Sequence, residues 1–157
     1  MILCCGEALI DMLPRETADG APAFAPLSGG AVFNTAMALG RLGAPAGYFG
    51  GLSTDLFGLQ LCATLDASHV DYSLAPRSER PTTLAFVTLV DGHAKYAFYD
   101  ENTAGRMLSE GDLPVLDDDV SALFFGGISL VSEPAADTYA AFCAREAGSR
   151  VVMIDPN

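Results

Sequence analysis

Short apolar runs closed by glycine alternate along this chain with stretches whose apolar residues fall at helical spacing, and that alternation leaves few architectures open. Ile2 to Cys5, closed by Gly6, suits a buried strand. The pair Gly29-Gly30 then precedes a helix of about three turns, apolar at Phe33, Met37 and Leu39, with Gly43 as its C-terminal cap. Ala46 to Gly50 reads as a second strand. Asp55 can cap a helix running to Ala67, with Leu56, Leu59, Leu61 and Leu65 on its apolar positions. Further on, Ala122 to Phe125 predicts a strand ending in Gly126-Gly127, Pro134 to Ala147 a helix, and Arg150 to Ile154 one more buried strand.

Between Thr82 and Tyr99 the period changes from helical to strand-like. TTLAFVTLV and AKYAFY flank Asp91-Gly92-His93, a two-stranded hairpin signal that interrupts the strand-helix order. Alternating strands and helices imply a mainly parallel sheet covered on both faces, with ligands beyond the carboxyl ends of the strands. The loops after the strands are therefore where chemistry is expected. A last apolar strand with no helix after it leaves the sheet partly uncovered, so the sequence reads as cut at its C-terminal side.

The 157 residues suit one domain, and half of them are hydrophobic, enough for a substantial core. A net charge of −12 without a basic cluster argues against nucleic acid and anionic membrane surfaces as partners. No apolar run reaches the roughly 20 residues of a membrane span and the N-terminus has no signal-peptide pattern, so the chain reads as soluble and cytoplasmic. Cys4, Cys5, Cys62 and Cys143 form no CxxC pair and stand in no metal-ligand spacing with His69 or His93. They read as small buried thiols, and the two histidines as surface residues.

The glycine loop before the first helix invites a phosphate, but its surroundings lack what a phosphate loop needs. No GxxxxGK[ST] occurs, so there is no lysine for the phosphates and no hydroxyl for magnesium. The dinucleotide fingerprint GxGxxG is absent too, which weakens a reading as an oxidoreductase domain. The nearest cation downstream, Arg41, lies roughly 16 Å along the helix, although free helix N–H groups could still attract an anion. What the loop offers instead is close backbone approach at the glycines and the carboxamide of Asn34 in the first helical turn. Asp11, in GEALID, is expected beyond the first strand, where its carboxylate can accept hydrogen bonds from two adjacent hydroxyls. Carboxylate, backbone amides and carboxamide together make a polyol-binding set. Each also has a structural explanation: a plain turn for Gly29-Gly30, a local cap for Asn34, a solvated turn for Asp11.

GEALIDMLP, SGGAVFNTAMALGRLGA, YFGGLSTDLFG and the final MIDPN resemble the N-terminal half of a ribokinase-like sugar kinase of the PfkB family. FYDENTAGRML and FFGGISLVSEP are most similar to bacterial fructokinases. The likeness covers essentially the whole chain. It implies a ribokinase-like, Rossmann-type α/β fold, residues 1–157 forming the N-terminal part of one domain, with lid strands within about 12–28 and 82–100. It also implies Asp11, Gly29, Gly30 and Asn34 as sugar ligands and Phe98 packing on the substrate. Gly126, Gly127 and Ser129 would line the same pocket, and Asp155 would lie toward phosphate and magnesium.

The implied activity is transfer of the ATP γ-phosphoryl group, with magnesium, to a primary hydroxyl of a sugar, fructose first and ribose or 2-keto-3-deoxygluconate as alternatives. The family's catalytic Asp lies in a GAGD motif, which this sequence does not contain, and the basic residue that usually follows DPN is missing as well. The resemblance therefore assigns no catalytic residue to this chain, places the ATP-binding half outside it, and implies that the chain alone is inactive or a non-catalytic sugar-binding piece. A homodimer through the lid is a further implication.

Overall fold

The computed structural model describes residues 1–90 and 93–156, so the Asp91-Gly92 turn of the predicted hairpin and the reading of the His93 side chain lie outside the described residues. The strands are β1 (Ile2–Cys5), β2 (Leu9–Glu16), β3 (Pro22–Gly29), β4 (Ala46–Phe49), β5 (Leu52–Ser53), β6 (Val70–Asp71), β7 (Arg77–Ser78), β8 (Leu84–Val90), β9 (His93–Tyr99), β10 (Ala122–Gly126) and β11 (Val151–Asp155). The helices are α1 (Ala31–Arg41), α2 (Leu56–Ala67) and α3 (Ala135–Glu146), with 3-10 turns at Glu110–Asp112 and Gly127–Leu130.

A parallel sheet in the order β11-β10-β1-β4-β6 forms the centre. Its inner strands β1, β4 and β10 are apolar because both of their faces are covered. The two-residue side-chain period assigns Cys4 to one face and Leu3 and Cys5 to the other. On the first face Cys4 packs with Val32, Phe33, Ala36, Tyr48, Leu61 and Leu65 from α1, α2 and β4. On the second, Leu3 and Cys5 pack with Phe49, Leu123, Phe125, Tyr139 and Phe142, which brings in α3. Burial pushes the Cys4 thiol up to about 12 and the Cys5 thiol up as well, so both behave as small apolar side chains.

A second sheet, β3-β2-β8-β9, stands on the central one, and a short pair joins β5 to β7. β2 enters the second sheet at Leu9, three residues before the span expected for the lid. Asp11 is therefore inside a strand, opposite Leu27 on β3 and Ala85 on β8, rather than in a loop beyond β1.

Two burial readings are corrected. Leu56 and Leu59 are 75% and 58% exposed, because α2 turns Leu61, Cys62 and Leu65 inward and the two earlier leucines fall on the solvent side of that stripe. β11 is the edge of the sheet, with Val151, Met153 and Ile154 exposed, so its apolar run does not signify burial on both faces. Among the described residues no helix is long and apolar enough to cross a membrane.

Candidate functional site

The site forms where the two sheets meet, around the peptide that leaves β1 and enters β2. Gly6 ends the first strand, and its carbonyl accepts hydrogen bonds from the buried Tyr48 (2.8 Å) and Tyr139 (3.2 Å) hydroxyls, one from each core. That fixes the position of Glu7, the next residue.

Glu7 answers the question of what the glycine loop holds. α1 begins at Gly30, a residue with φ 110° and no side chain to cap the helix. Glu7 caps it from 24 residues away in sequence: the Ala31 N–H donates to Glu7 Oε1 at 2.8 Å and the Val32 N–H at 3.4 Å. Its other oxygen, Oε2, accepts from the Ser129 N–H at 3.3 Å, in the 3-10 turn after β10. Two of the helix N–H groups expected to attract an anion are thus already bound to an internal carboxylate. Arg41 lies at the far end of α1, donating to Ser68 Oγ at 3.0 Å.

Around Glu7 opens a cleft of ≈ 400 Å³ that brings together Asp11 from β2, Gly30 before α1, Asn34 from its first turn and Phe98 from β9. Leu9, Ala31, Tyr96 and Ile128 complete its lining. Asp11 is half-buried, and burial raises its carboxyl above the ordinary Asp value. Asn34 is exposed on the first turn of α1. Phe98 is 43% exposed and stacks on Tyr96 with ring centroids 6.0 Å apart and planes 16° from parallel. The aromatic pair forms an apolar wall opposite a carboxylate and a carboxamide, an arrangement that suits a molecule with an apolar C–H face and an edge of hydroxyls.

The remaining expected positions surround this cleft without all lining it. Gly29 sits beside Asp11 across the β2–β3 ladder, and a Cβ there would run into the Asp11 carboxylate, so glycine leaves room for that acid. Gly127, with φ 68°, packs so closely on Glu7 that a Cβ would meet its carboxylate. Ser129 donates to the Gly126 carbonyl at 2.6 Å and lines a narrower adjoining cavity of ≈ 30 Å³. Gly126 lies at the end of β10, in register with Asp155 on β11. Asp155 is exposed at the carboxyl end of that strand and is not among the residues around the cleft.

Sequence reasoning missed Glu7, Tyr96, Asp100 and Arg106. Glu7 carries no local signal, because its partners are 24 and 122 residues distant. Tyr96 could have been found, since it is two residues from Phe98 on a strand and must share its face. Asp100 and Arg106 form an ion pair at 2.8 Å in the adjoining cavity.

The family described as pfkB family carbohydrate kinase matches residues 1–157. A fructokinase from Rhizobium leguminosarum bv. trifolii is 60% identical over 157 residues, covering 100% of this chain and 48% of that protein. Fructokinase-1 of Oryza sativa subsp. japonica is 37% identical over 165 residues, covering 100% of this chain and 51% of its own length. The crystal structure of a fructokinase from Xylella fastidiosa with bound ATP superposes with a TM-score of 0.90 at 29% identity, covering 99% of this chain and 51% of that one. The chain spans about half the length of the curated relatives it matches.

Proposed function

The chain belongs to the pfkB family of carbohydrate kinases, and from that premise we propose that it supplies the sugar-binding part of an ATP-dependent fructokinase. The observation that carries the proposal is the convergence of Asp11, Gly30, Asn34 and Phe98, from four separate elements, on one cleft. The identity with fructokinases is what favours fructose over ribose or 2-keto-3-deoxygluconate. In this reading Asp11 accepts from two neighbouring sugar hydroxyls, the Asn34 carboxamide donates to one and accepts from another, and Phe98 covers the C–H face of the ring. Gly29 and Gly30 let the sugar approach the backbone, while Gly127 and Ser129 shape the far wall through Glu7, and Gly126 holds Ser129 by accepting from its hydroxyl.

ATP is the second substrate, and magnesium bound with it would neutralise charge on the transferred phosphoryl group. The residue this chain offers toward magnesium is Asp155, a single exposed carboxylate. Among the described residues no group of three or more His, Cys, Asp or Glu side chains gathers that could hold a metal ion. The base that takes the proton from the sugar hydroxyl is assigned to none of these residues. We also place the kinase in the cytoplasm. A homodimer through the second sheet draws support from the exposed Phe24, Leu27 and Tyr99 on its strands.

Thermal melts and calorimetry with fructose, ribose and 2-keto-3-deoxygluconate test the reading, and the expected result is a fructose-specific rise in melting temperature that Asn34→Ala abolishes. Equal effects of all three sugars would remove fructose, and no effect of any would remove the sugar site. A second reading is a chain that binds sugar without turning it over, since none of the residues around the cleft is assigned the role of base. Fructose binding with no ADP released from ATP would select it.

A further inference from the structure

Three cavities meet at Phe98. The cleft holding Asp11 and Asn34 shares Glu7, Phe98 and Ile128 with the narrow adjoining cavity, which shares Phe98, Asp100 and Arg106 with a third opening of ≈ 510 Å³. Among the described residues lining the three, Arg106 is the only cation, against the acids Glu7, Asp11, Asp100 and Glu101.

Several of the groups there that could hold an anion already have partners in the chain itself. Arg106 Nη1 meets Asp100 Oδ2 at 2.8 Å, and its Nε donates to the Glu133 carbonyl at 2.9 Å. The N–H groups of Ala31 and Val32 go to one oxygen of Glu7 and that of Ser129 to the other. A ligand carboxylate or phosphate would have to displace a tethered carboxylate, which forfeits no translational freedom when it binds, and then stand beside acids of its own sign. A neutral polyol displaces none of these groups, since its hydroxyls can donate to Asp11 directly.

We propose that Glu7 and Asp100 act as built-in anions that make the cleft selective for an uncharged sugar, and that Asp100, by neutralising Arg106, is a specificity-determining residue against sugar acids. This rests on the reading of the cleft as a sugar site. Among the described residues the carboxylate of Asp100 has one hydrogen-bond partner, the Arg106 guanidinium, so exchanging it for an amide disturbs little else.

Calorimetric dissociation constants for fructose, 2-keto-3-deoxygluconate and fructose 6-phosphate are the test. The unmodified chain is expected to bind fructose at least about tenfold more tightly than either anion. Asp100→Asn should shift the ratio of 2-keto-3-deoxygluconate to fructose affinity at least about tenfold toward the acid. The gain should fade with added salt and vanish in the Asp100→Asn/Arg106→Met double variant. A gain in binding cannot come from an unfolded chain. If Asp100→Asn does unfold, Asp100→Ser takes its place: the same shift of at least about tenfold toward the acid is expected, and an unmoved ratio would overturn the proposal. Parity of fructose and the anions in the unmodified chain, or an unmoved ratio in a folded Asp100→Asn variant, would overturn it alone. Failure of every sugar to bind would overturn the sugar site, and this inference with it.

Discussion

Two carboxylates in this molecule are moved in opposite directions, and their titrations should report different things. Asp11 is raised by burial beside the cleft, where among the described residues no hydrogen bond to its charged form compensates. If its charged form accepts the sugar hydroxyls, fructose affinity is lost as pH falls through a midpoint above the ordinary Asp value of about 3.9. Calorimetry between roughly pH 4 and 7 checks this, and a profile that Asp11→Asn leaves unaltered would assign the titration to another group. For Asp55 burial also pushes the carboxyl up, but hydrogen bonds from Thr82, Gly58 and Ser53 together hold it below the ordinary range. A depressed folded-state value contributes stability above the unfolded pKa, and that contribution disappears as pH falls through the folded one. Acid should thus weaken sugar binding before it releases the stability held by Asp55. Residues of this kind differ in how visible they are beforehand. Asp11 and Asn34 could be read from their chemistry beside a glycine loop, whereas Glu7 could not, because its meaning depends on two elements that only the folded chain brings beside it.

Helix ends were the most legible elements, since caps are local. Asp55 accepts from the Gly58 N–H at 2.7 Å at the start of α2, and Gly43, with φ 82°, follows α1, both where the sequence puts them. Which face of α2 would be buried was not legible, because a helix rich in leucine all round offers several stripes and only the sheet beneath selects one. The two-residue strands β5, β6 and β7 are too short to carry any period. Asp55 also does something that its cap signature does not reveal. Its oxygens accept from the Thr82 N–H at 2.8 Å and the Thr82 hydroxyl at 2.6 Å, so the same carboxylate ties α2 to the segment that leads into β8. Asp55→Ala should therefore cost about 1–3 kcal/mol, more than a lone cap, because the Thr82 donors lose their partner too. Chemical denaturation measures the loss, and hydrogen exchange should show faster exchange at both Gly58 and Thr82. Faster exchange at Gly58 alone would mean that the bridge to Thr82 contributes little.

At the scale of the whole molecule, stability and ligand contact are divided between the two sheets. The central sheet packs aromatic side chains against one face in particular: Phe142 is fully buried, with its ring 5.2 Å from Phe49 and 6.0 Å from Phe125. The second sheet keeps Phe98 and Tyr96, both lining the cleft, substantially exposed. Apolar area already in contact with water contributes little to folding, so those aromatics have little stability to lose and gain burial only when something enters the cleft. The two sheets should respond in opposite ways to the same truncation. Phe142→Ala is expected to destabilise the chain by about 3–5 kcal/mol, through lost transfer energy and the cavity left between α3 and the sheet. Phe98→Ala is expected to change stability by less than about 1 kcal/mol and to weaken fructose binding about tenfold or more. Denaturant midpoints and calorimetric titration of the two variants make the comparison. If Phe98→Ala unfolds the chain as readily as Phe142→Ala while sugar affinity per folded molecule stays unchanged, Phe98 belongs to the packing of the second sheet, and the apolar wall of the cleft must be sought in Tyr96 or Ile128.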